Sequence, residues 1–355
     1  MNRESMEPST GSIAEAAPAA TMRALIGVFR VSRLLHVAAS LGLADLLRDA
    51  PRTSEELATT TGTHAPSLAR ALRALVAIGV LAQDAQGRYG LTPLGATLRS
   101  DLPGSLRAWA LFALGEENHR VWGELLHSVR TGETAFEHVY GMSVWEYRTR
   151  NPEHARLFDA AMAALMAGVD TALAAAYPFS SVRRVVDVGG GDGTLLITLL
   201  RAHPKLEGVL FDLPHVAKNA RRRIEEAGLA ERCAIVAGDV FASVPSGGDC
   251  YLLARVIHDW DDERAVAILR NCCRAMTEQG RLLLLERIYP AWLEPSPALH
   301  AAAMTDLTML VATGGRERTE AEYRGLLAAA GIDEMTVIPT GSGLSVLEGT
   351  RSAPR

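Results

Sequence analysis

The residues whose arrangement carries most chemistry are a glycine run and three aspartates. Val185-Val186-Asp187-Val188 reads as a buried strand, and Gly189-Gly190-Gly191-Asp192-Gly193-Thr194 turns it into a helix beginning near Thr194. Glycines at such a turn let the backbone bend sharply and approach a ligand closely. A loop of this kind serves a dinucleotide, a nucleoside triphosphate or an adenosyl group, and the neighbouring residues choose among them. No Lys-Ser or Lys-Thr follows, which removes the phosphate-gripping loop. Asp187 precedes the glycines, where a carboxylate repels a pyrophosphate and suits an ammonium group. Asp212 ends the next apolar run, 19 residues after Gly193, where it can accept hydrogen bonds from a ribose diol. Asp239 ends the third run, where an adenine amino group can lie. Amino-acid cation, ribose and adenine together describe S-adenosylmethionine. Each aspartate alone reads equally well as a helix cap or a loop carboxylate; their succession at three strand ends is the signal.

A second group of residues could handle protons. His258 follows the apolar run Asp249–Ile257 and precedes a helix starting near Asp261. That is the carboxyl end of a strand, where ligands bind in open α/β sheets, so a histidine there can act as a base. Glu286 ends Arg281-Leu282-Leu283-Leu284-Leu285, and a carboxylate closing four leucines calls for a partner. Glu317 lies in Gly314-Gly315-Arg316-Glu317-Arg318-Thr319; a capping box of Thr319 and Glu322 accounts for those two residues but not for Glu317. Asp259 either contacts a substrate hydroxyl or caps the next helix. Asp306, among apolar residues of a helix, is read as a substrate contact, with a buried structural hydrogen bond as the alternative.

The elements that must position these groups follow from periodicity. With 355 residues, two domains are expected. From Thr21 to about Leu47 apolar residues recur at three- and four-residue spacing, an amphipathic helix pair. A short helix over Ser54–Thr60, a turn at Gly62, a helix from about Pro66 to Ile78 stopped by Gly79, and a hairpin flanking Asp84–Gly87 give a winged-helix order. Residues 106–180 read as helices with loops, a helical linker and substrate-pocket region. From Arg183 short apolar runs alternate with helical ones, a parallel sheet, and two final runs form an antiparallel edge hairpin. The expected organisation is a mobile tail over 1–20, a helical domain over 21–105, the linker region, and a catalytic domain over 181–355. The four cysteines, Cys233, Cys250, Cys272 and Cys273, have no disulfide or zinc spacing and read as reduced thiols, which fits a cytoplasmic protein. No apolar signal core or membrane-spanning run is seen.

The segments Asp187–Thr194 (DVGGGDGT), Phe211–Val216 (FDLPHV), Gly238–Phe241 (GDVF), His258–Glu263 (HDWDDE) and Gly314–Thr319 (GGRERT) resemble the plant caffeate-type and bacterial natural-product small-molecule O-methyltransferases, in the family's order and over nearly the whole chain. The resemblance implies an α/β fold, a seven-stranded Rossmann-like methyltransferase sheet with an N-terminal all-helical, winged-helix-like domain that dimerises. It implies a homodimer, a small aromatic substrate and a metal-independent reaction. It makes His258 the catalytic base flanked by Glu286 and Glu317. It assigns the cofactor to Asp187, Gly189, Gly191, Asp212, Leu213, Asp239 and Val240. It also implies that Phe158, Met162 and Met309 line the methyl and substrate pocket, with Trp109, Phe112 and Trp145 as further candidates; read from the residues alone, such a stripe is ordinary core. The plant enzymes carry a Lys four residues before the base; here Ala254 stands there, and the adjacent Arg255 is the candidate replacement.

The implied chemistry is consistent in magnitude. A phenol near pKa ~10 and a neutral histidine near about 6.5 leave full proton transfer uphill by roughly 5 kcal/mol. Carboxylates beside the imidazole reduce that by stabilising the imidazolium. Two other readings use the same scaffold: N-methylation, or a cofactor-bound tailoring enzyme that transfers no methyl. The intact set of His258, Glu286 and Glu317 favours a hydroxyl, since a neutral amine needs less help from a base. A winged-helix DNA-binding regulator is disfavoured, because the second helix offers only Arg70 and Arg73 and the chain's net charge is -5.

Overall fold

A computed structural model describes residues 18–351 of the chain. The expected tail over 1–20 falls almost entirely outside them; Pro18 already begins a helix. The chain divides into two compact units, one ending at Arg99 and one beginning at Ser100.

The first unit is helical but for one small hairpin. Its helices span Pro18–Ser40, Leu43–Leu46, Ser54–Thr61, Ala65–Ala77 and Pro93–Ala96, and strands β1 (Leu81–Gln83) and β2 (Tyr89–Leu91) pair antiparallel. Thr53 and Glu56 form a reciprocal capping box at the third helix. Gly62 and Gly79 end helices with φ of 64° and 77°, where a side chain would be strained. Leu43, Leu57, Leu72, Leu75 and Tyr89 close the core. By contrast Met22, Leu25, Ile26 and Phe29 of the first helix are all more than half exposed. An apolar helix stripe left in water is incomplete by itself.

The second unit holds a seven-stranded sheet in the order β5-β4-β3-β6-β7-β9-β8. The strands are β3 (Arg184–Val188), β4 (Glu207–Asp212), β5 (Cys233–Ala237), β6 (Cys250–Ala254), β7 (Arg281–Glu286), β8 (Glu334–Pro339) and β9 (Ser345–Thr350). The first five are parallel; β9 runs antiparallel to both β7 and β8, giving the terminal edge hairpin. Alternate residues bury on opposite faces. Val185, Leu252, Leu283 and Leu285 enter one core; Val186, Leu253, Leu282 and Leu284 enter the other. Burial on both faces explains why these strands are apolar runs rather than alternating patterns.

The chain moves outward from β3 through β4 to β5, then crosses back to place β6 and β7 on the other side of β3. The carboxyl ends of β3 and β6 therefore diverge into a crevice, the position at which open α/β sheets bind ligands. Asp187 lies on β3, Asp212 ends β4, Glu286 ends β7, and His258 lies four residues beyond β6. The sheet brings these residues to one edge from positions spread across a hundred residues.

Candidate active site

On the β3 side, Gly189, Gly191 and Gly193 have φ of +74°, +59° and +82°, a region other residues rarely enter. At Gly190 the constraint is different. A Cβ there would lie 2.8 Å from Asp187 Oδ2 and 3.0 Å from Leu210, so the turn wraps the carboxylate with no room for a side chain. Asp187 is buried, and neither carboxylate oxygen has a hydrogen-bond partner among the described residues. Burial, then the charges of Asp212 and Asp192, push its pKa up to about 7. A buried carboxylate in this state favours a cationic partner. Asp212 accepts from the Gly191 amide at 2.8 Å and the Leu213 amide at 2.7 Å. Burial raises it to about 6 against those bonds. Leu213 leads into the helix Pro214–Glu226.

Asp239 lies two residues past β5, where its Oδ1 accepts from the Phe241 amide at 2.9 Å. The carbonyls of Val240 and Phe241 accept from Asn271 Nδ2 at 2.6 and 3.1 Å. Asn271, buried on the helix Asp262–Ala275, was not singled out from the sequence. Its signal was a polar residue in register with Ala265, Ile268, Leu269 and Cys272 on the buried face. Arg255, beyond β6, is the only non-glycine with positive φ (+54°) among the described residues. Its amide donates to the Leu285 carbonyl at 3.0 Å, and its charge acts on His258, Asp259 and Glu286.

The residues expected to handle protons meet as a buried cluster. His258 sits in a short 3-10 turn, 3% exposed, with Nδ1 3.0 Å from Glu317 Oε1. A carboxylate at that distance accepts the hydrogen bond of a protonated Nδ1 and leaves the Nε2 lone pair free. Glu286 contacts the turn rather than the ring: its Oε1 accepts from the amides of Val256 (3.1 Å), Ile257 (2.8 Å) and His258 (3.4 Å). Burial and the Arg255 charge push the His258 pKa down, but Glu286, Asp259 and Glu317 outweigh them, and the pKa is raised. Burial raises Glu286, reinforced by Glu317 and opposed chiefly by His258.

Asp261, not Asp259, caps the following helix, accepting from the Arg264 amide at 2.8 Å. Asp259 is thus free for another task, with Oδ1 3.9 Å from His258 Nε2. Asp306 Oδ1 accepts from the Glu317 amide at 2.8 Å, so this half-buried carboxylate helps to place Glu317.

Two residues that hold this cluster together were not read from the sequence. Arg318 is fully buried and donates to the carbonyls of Ile257 (3.1 Å) and Trp260 (2.7 Å) and to Asp262 Oδ1 (2.8 Å). It clamps the histidine turn against the loop bearing Glu317. At Gly315 a Cβ would lie 2.0 Å from the His258 carbonyl oxygen, so the two backbones meet only over a glycine. The expected Thr319–Glu322 capping box is present and fixes the end of this loop.

On the third side lie aromatic residues. Phe158 packs edge-on against Phe112 at 5.4 Å, and Trp109 lies 6.2 Å from Phe112. Trp145 stacks on Trp260 at 5.5 Å, just after the histidine turn. Met162 is half-buried one turn beyond Phe158 on the helix Pro152–Leu165. Met309 is buried on the helix Pro297–Ala312, with Sδ 3.8 Å from the Thr313 hydroxyl. Among the described residues no three His, Cys, Asp or Glu side chains are grouped to hold a metal.

The crevice thus pairs a cradle for a cation with a histidine–glutamate couple. Comparison with known proteins identifies the family. Residues 122–333 match an O-methyltransferase domain and residues 24–101 an O-methyltransferase dimerisation domain. The chain is 46% identical to a phenazine O-methyltransferase of Lysobacter antibioticus, over 91% of this chain and 94% of that protein. It is 37% identical to a mitomycin biosynthesis 6-O-methyltransferase of Streptomyces lavendulae, over 97% of each. Among solved structures it resembles an O-methyltransferase from neocarzinostatin biosynthesis, crystallised with S-adenosylmethionine and 2-hydroxy-5-methyl naphthoic acid. That likeness has a TM-score of 0.80 and 39% identity, over 91% of this chain and 96% of that one.

Gly315→Ala tests the backbone contact. The added methyl forces the histidine turn and the Glu317 loop apart, and a displacement near 1 Å costs turnover about a hundred-fold. We expect that loss in kcat with little change in S-adenosylhomocysteine affinity; wild-type kcat would show that the close approach does not position His258.

Proposed function

The chain belongs to the S-adenosylmethionine-dependent O-methyltransferases, and we propose that it methylates a phenolic hydroxyl of a small aromatic natural product or its precursor, with His258 as general base. The observation that carries this reading is the His258–Glu317 contact of 3.0 Å at the sheet's crevice, which commits Nδ1 and leaves Nε2 for the substrate. The acceptors named for its relatives support an aromatic substrate.

Bound S-adenosylmethionine supplies an electrophilic methyl on a sulfonium that is its own leaving group, so no acid is required at that end. Asp187 fits its ammonium group: a buried carboxylate without a partner among the described residues, inside a turn that tolerates no side chain at Gly190. Gly189, Gly191, Asp212, Leu213, Asp239, Val240 and Arg255 complete the assigned cofactor contacts. His258 Nε2 accepts the hydroxyl proton as the oxygen attacks. Glu317 holds the imidazole tautomer and stabilises the imidazolium that forms, while Glu286 and Arg318 hold the turn. The raised His258 pKa narrows the roughly 5 kcal/mol gap to a phenol. Phe158, Met162, Met309, Asp259 and Asp306 are assigned to the acceptor side.

The exposed apolar stripe of the first helix, of which Leu25, Ile26 and Phe29 fall in the matched dimerisation domain, supports a homodimer formed through that unit. The four cysteines are buried free thiols, which supports a cytoplasmic location. A small-molecule partner, not nucleic acid or membrane, fits the site.

His258→Ala is expected to lower kcat for a phenolic acceptor by about 10²–10⁴-fold, with cofactor affinity retained. Transfer unaffected by the substitution would remove the base and favour an amine acceptor or positioning alone. The raised Asp187 pKa gives a second test. A bound ammonium favours the carboxylate, so affinity for S-adenosylhomocysteine should be full above pH 7 and fall as pH drops through about 7. The limit is about ten-fold per pH unit. Asp187→Asn should weaken binding and flatten that dependence. Equal affinity at pH 6 and pH 8 in the unmodified protein would contradict the assignment.

A further inference from the structure

The acceptor side contains a buried cation that the methyl-transfer chemistry does not use. Arg148, on the helix Val144–Arg150, is only 8% exposed. Its guanidinium carbon lies 3.4 Å from the centre of the Phe158 ring and 4.9 Å from that of Trp145. Rings against a guanidinium stabilise its charge but accept no in-plane hydrogen bonds. Its Nε and Nη1 have no partner among the described residues, and neither has the Trp145 indole Nε1 beside it. Three buried donors on neighbouring side chains therefore lack an acceptor, an arrangement that is costly in the interior.

The charged neighbours do not resolve this. Asp259 and Asp159 both act on Arg148, yet neither forms an ion pair with it, and His154 on the adjoining helix is itself held towards its neutral form by burial and by Arg148. The location is informative. Trp145 stacks on Trp260, two residues beyond His258, and Asp259 lies between them in sequence, 3.9 Å from the free ring nitrogen of His258. The guanidinium thus packs on Phe158, which is assigned to the acceptor side, and through Trp145 and Trp260 lies next to the turn that carries His258.

We infer that Arg148, with the Trp145 indole, is an anion subsite that selects hydroxyarenes bearing a carboxylate. A guanidinium can present parallel N–H donors that match a carboxylate's two oxygens, and the rings packed against this one accept none of them. A carboxylate held there anchors the flat acceptor against Phe158 while its hydroxyl reaches His258 Nε2. This assignment rests on reading the site as a methyl-transfer centre for a hydroxylated arene.

The test compares hydroxyarene carboxylates of one, two and three rings with their carboxamides. Binding is measured by calorimetry in the presence of S-adenosylhomocysteine, and methyl transfer separately. The wild type should bind the acid more tightly than the matched amide by roughly ten-fold or more on at least one frame. Arg148→Gln and Arg148→Met should reduce that ratio to near one, and Arg148→Lys should retain part of it; S-adenosylhomocysteine affinity reports that each variant is folded. Should the uncharged variants fail to fold, the wild-type ratio and Arg148→Lys still decide the matter. No frame on which the acid is preferred, or a preference that survives Arg148→Gln, overturns the inference. An Arg148-dependent preference without any methyl transfer would uphold the subsite and count against the O-methyltransferase reading. Transfer to acids and amides alike, with no difference in binding, would do the reverse.

Discussion

The site depends on a carboxylate buried at the end of a strand. Glu286 closes β7 after four leucines, in a place where an isolated charge would be expelled. It is retained because three successive amides, those of Val256, Ile257 and His258, point at one of its oxygens. Those amides belong to the turn after β6, so the interaction that makes the buried charge tolerable also fixes the backbone of His258. Arg318 completes the arrangement from the opposite side by taking the carbonyls of the same turn. Amides to Glu286 and carbonyls to Arg318 leave the turn little freedom, and Glu317 then needs only to reach the imidazole.

The two halves of the crevice are electrostatically complementary to the proposed reaction, which begins with a cation and passes a proton to a histidine. On the β3 side Asp187, Asp212 and Asp192 raise or maintain a negative field inside a glycine turn. On the β6 side carboxylates surround a histidine whose burial alone would keep it neutral. In the proposed reaction the carboxylates near His258 make an imidazolium acceptable in the interior, where the proton of a weakly acidic hydroxyl would go.

Much of the fold was legible because it depends on local periodicity. The apolar runs of β3, β4, β6 and β7, the glycines after β3, the Thr319 capping box and the terminal hairpin each announce themselves within about ten residues. Gly62 and Gly79 likewise mark helix ends by a backbone requirement that sequence alone displays. What stayed hidden depends on loops meeting across the sheet. Asp259 reads as a possible cap, a role that Asp261 takes in the structure. Glu286 read as a flank of the imidazole, whereas it binds the turn's amides. Asp306 showed a hydrogen bond to the Glu317 backbone, a contact between a helix and a loop 11 residues on. Gly315 and Arg318 lie in a segment whose motif was noticed for its glutamate. Their roles appear only when that segment is laid against the His258 turn, more than fifty residues earlier in the chain.

The most direct measurement is the pH dependence of kcat/KM for a phenolic acceptor in the wild type and in Glu317→Gln. The base must be unprotonated, so the rate rises with pH through the His258 pKa. The wild-type limb should lie above the ordinary histidine value, because the surrounding carboxylates raise it. Removing the Glu317 charge lowers that pKa, so the limb should move to lower pH while the plateau falls, as expected of a weaker base. A limb that stays in place in Glu317→Gln, with an unchanged plateau, would contradict the account and dissociate His258 from the proton transfer.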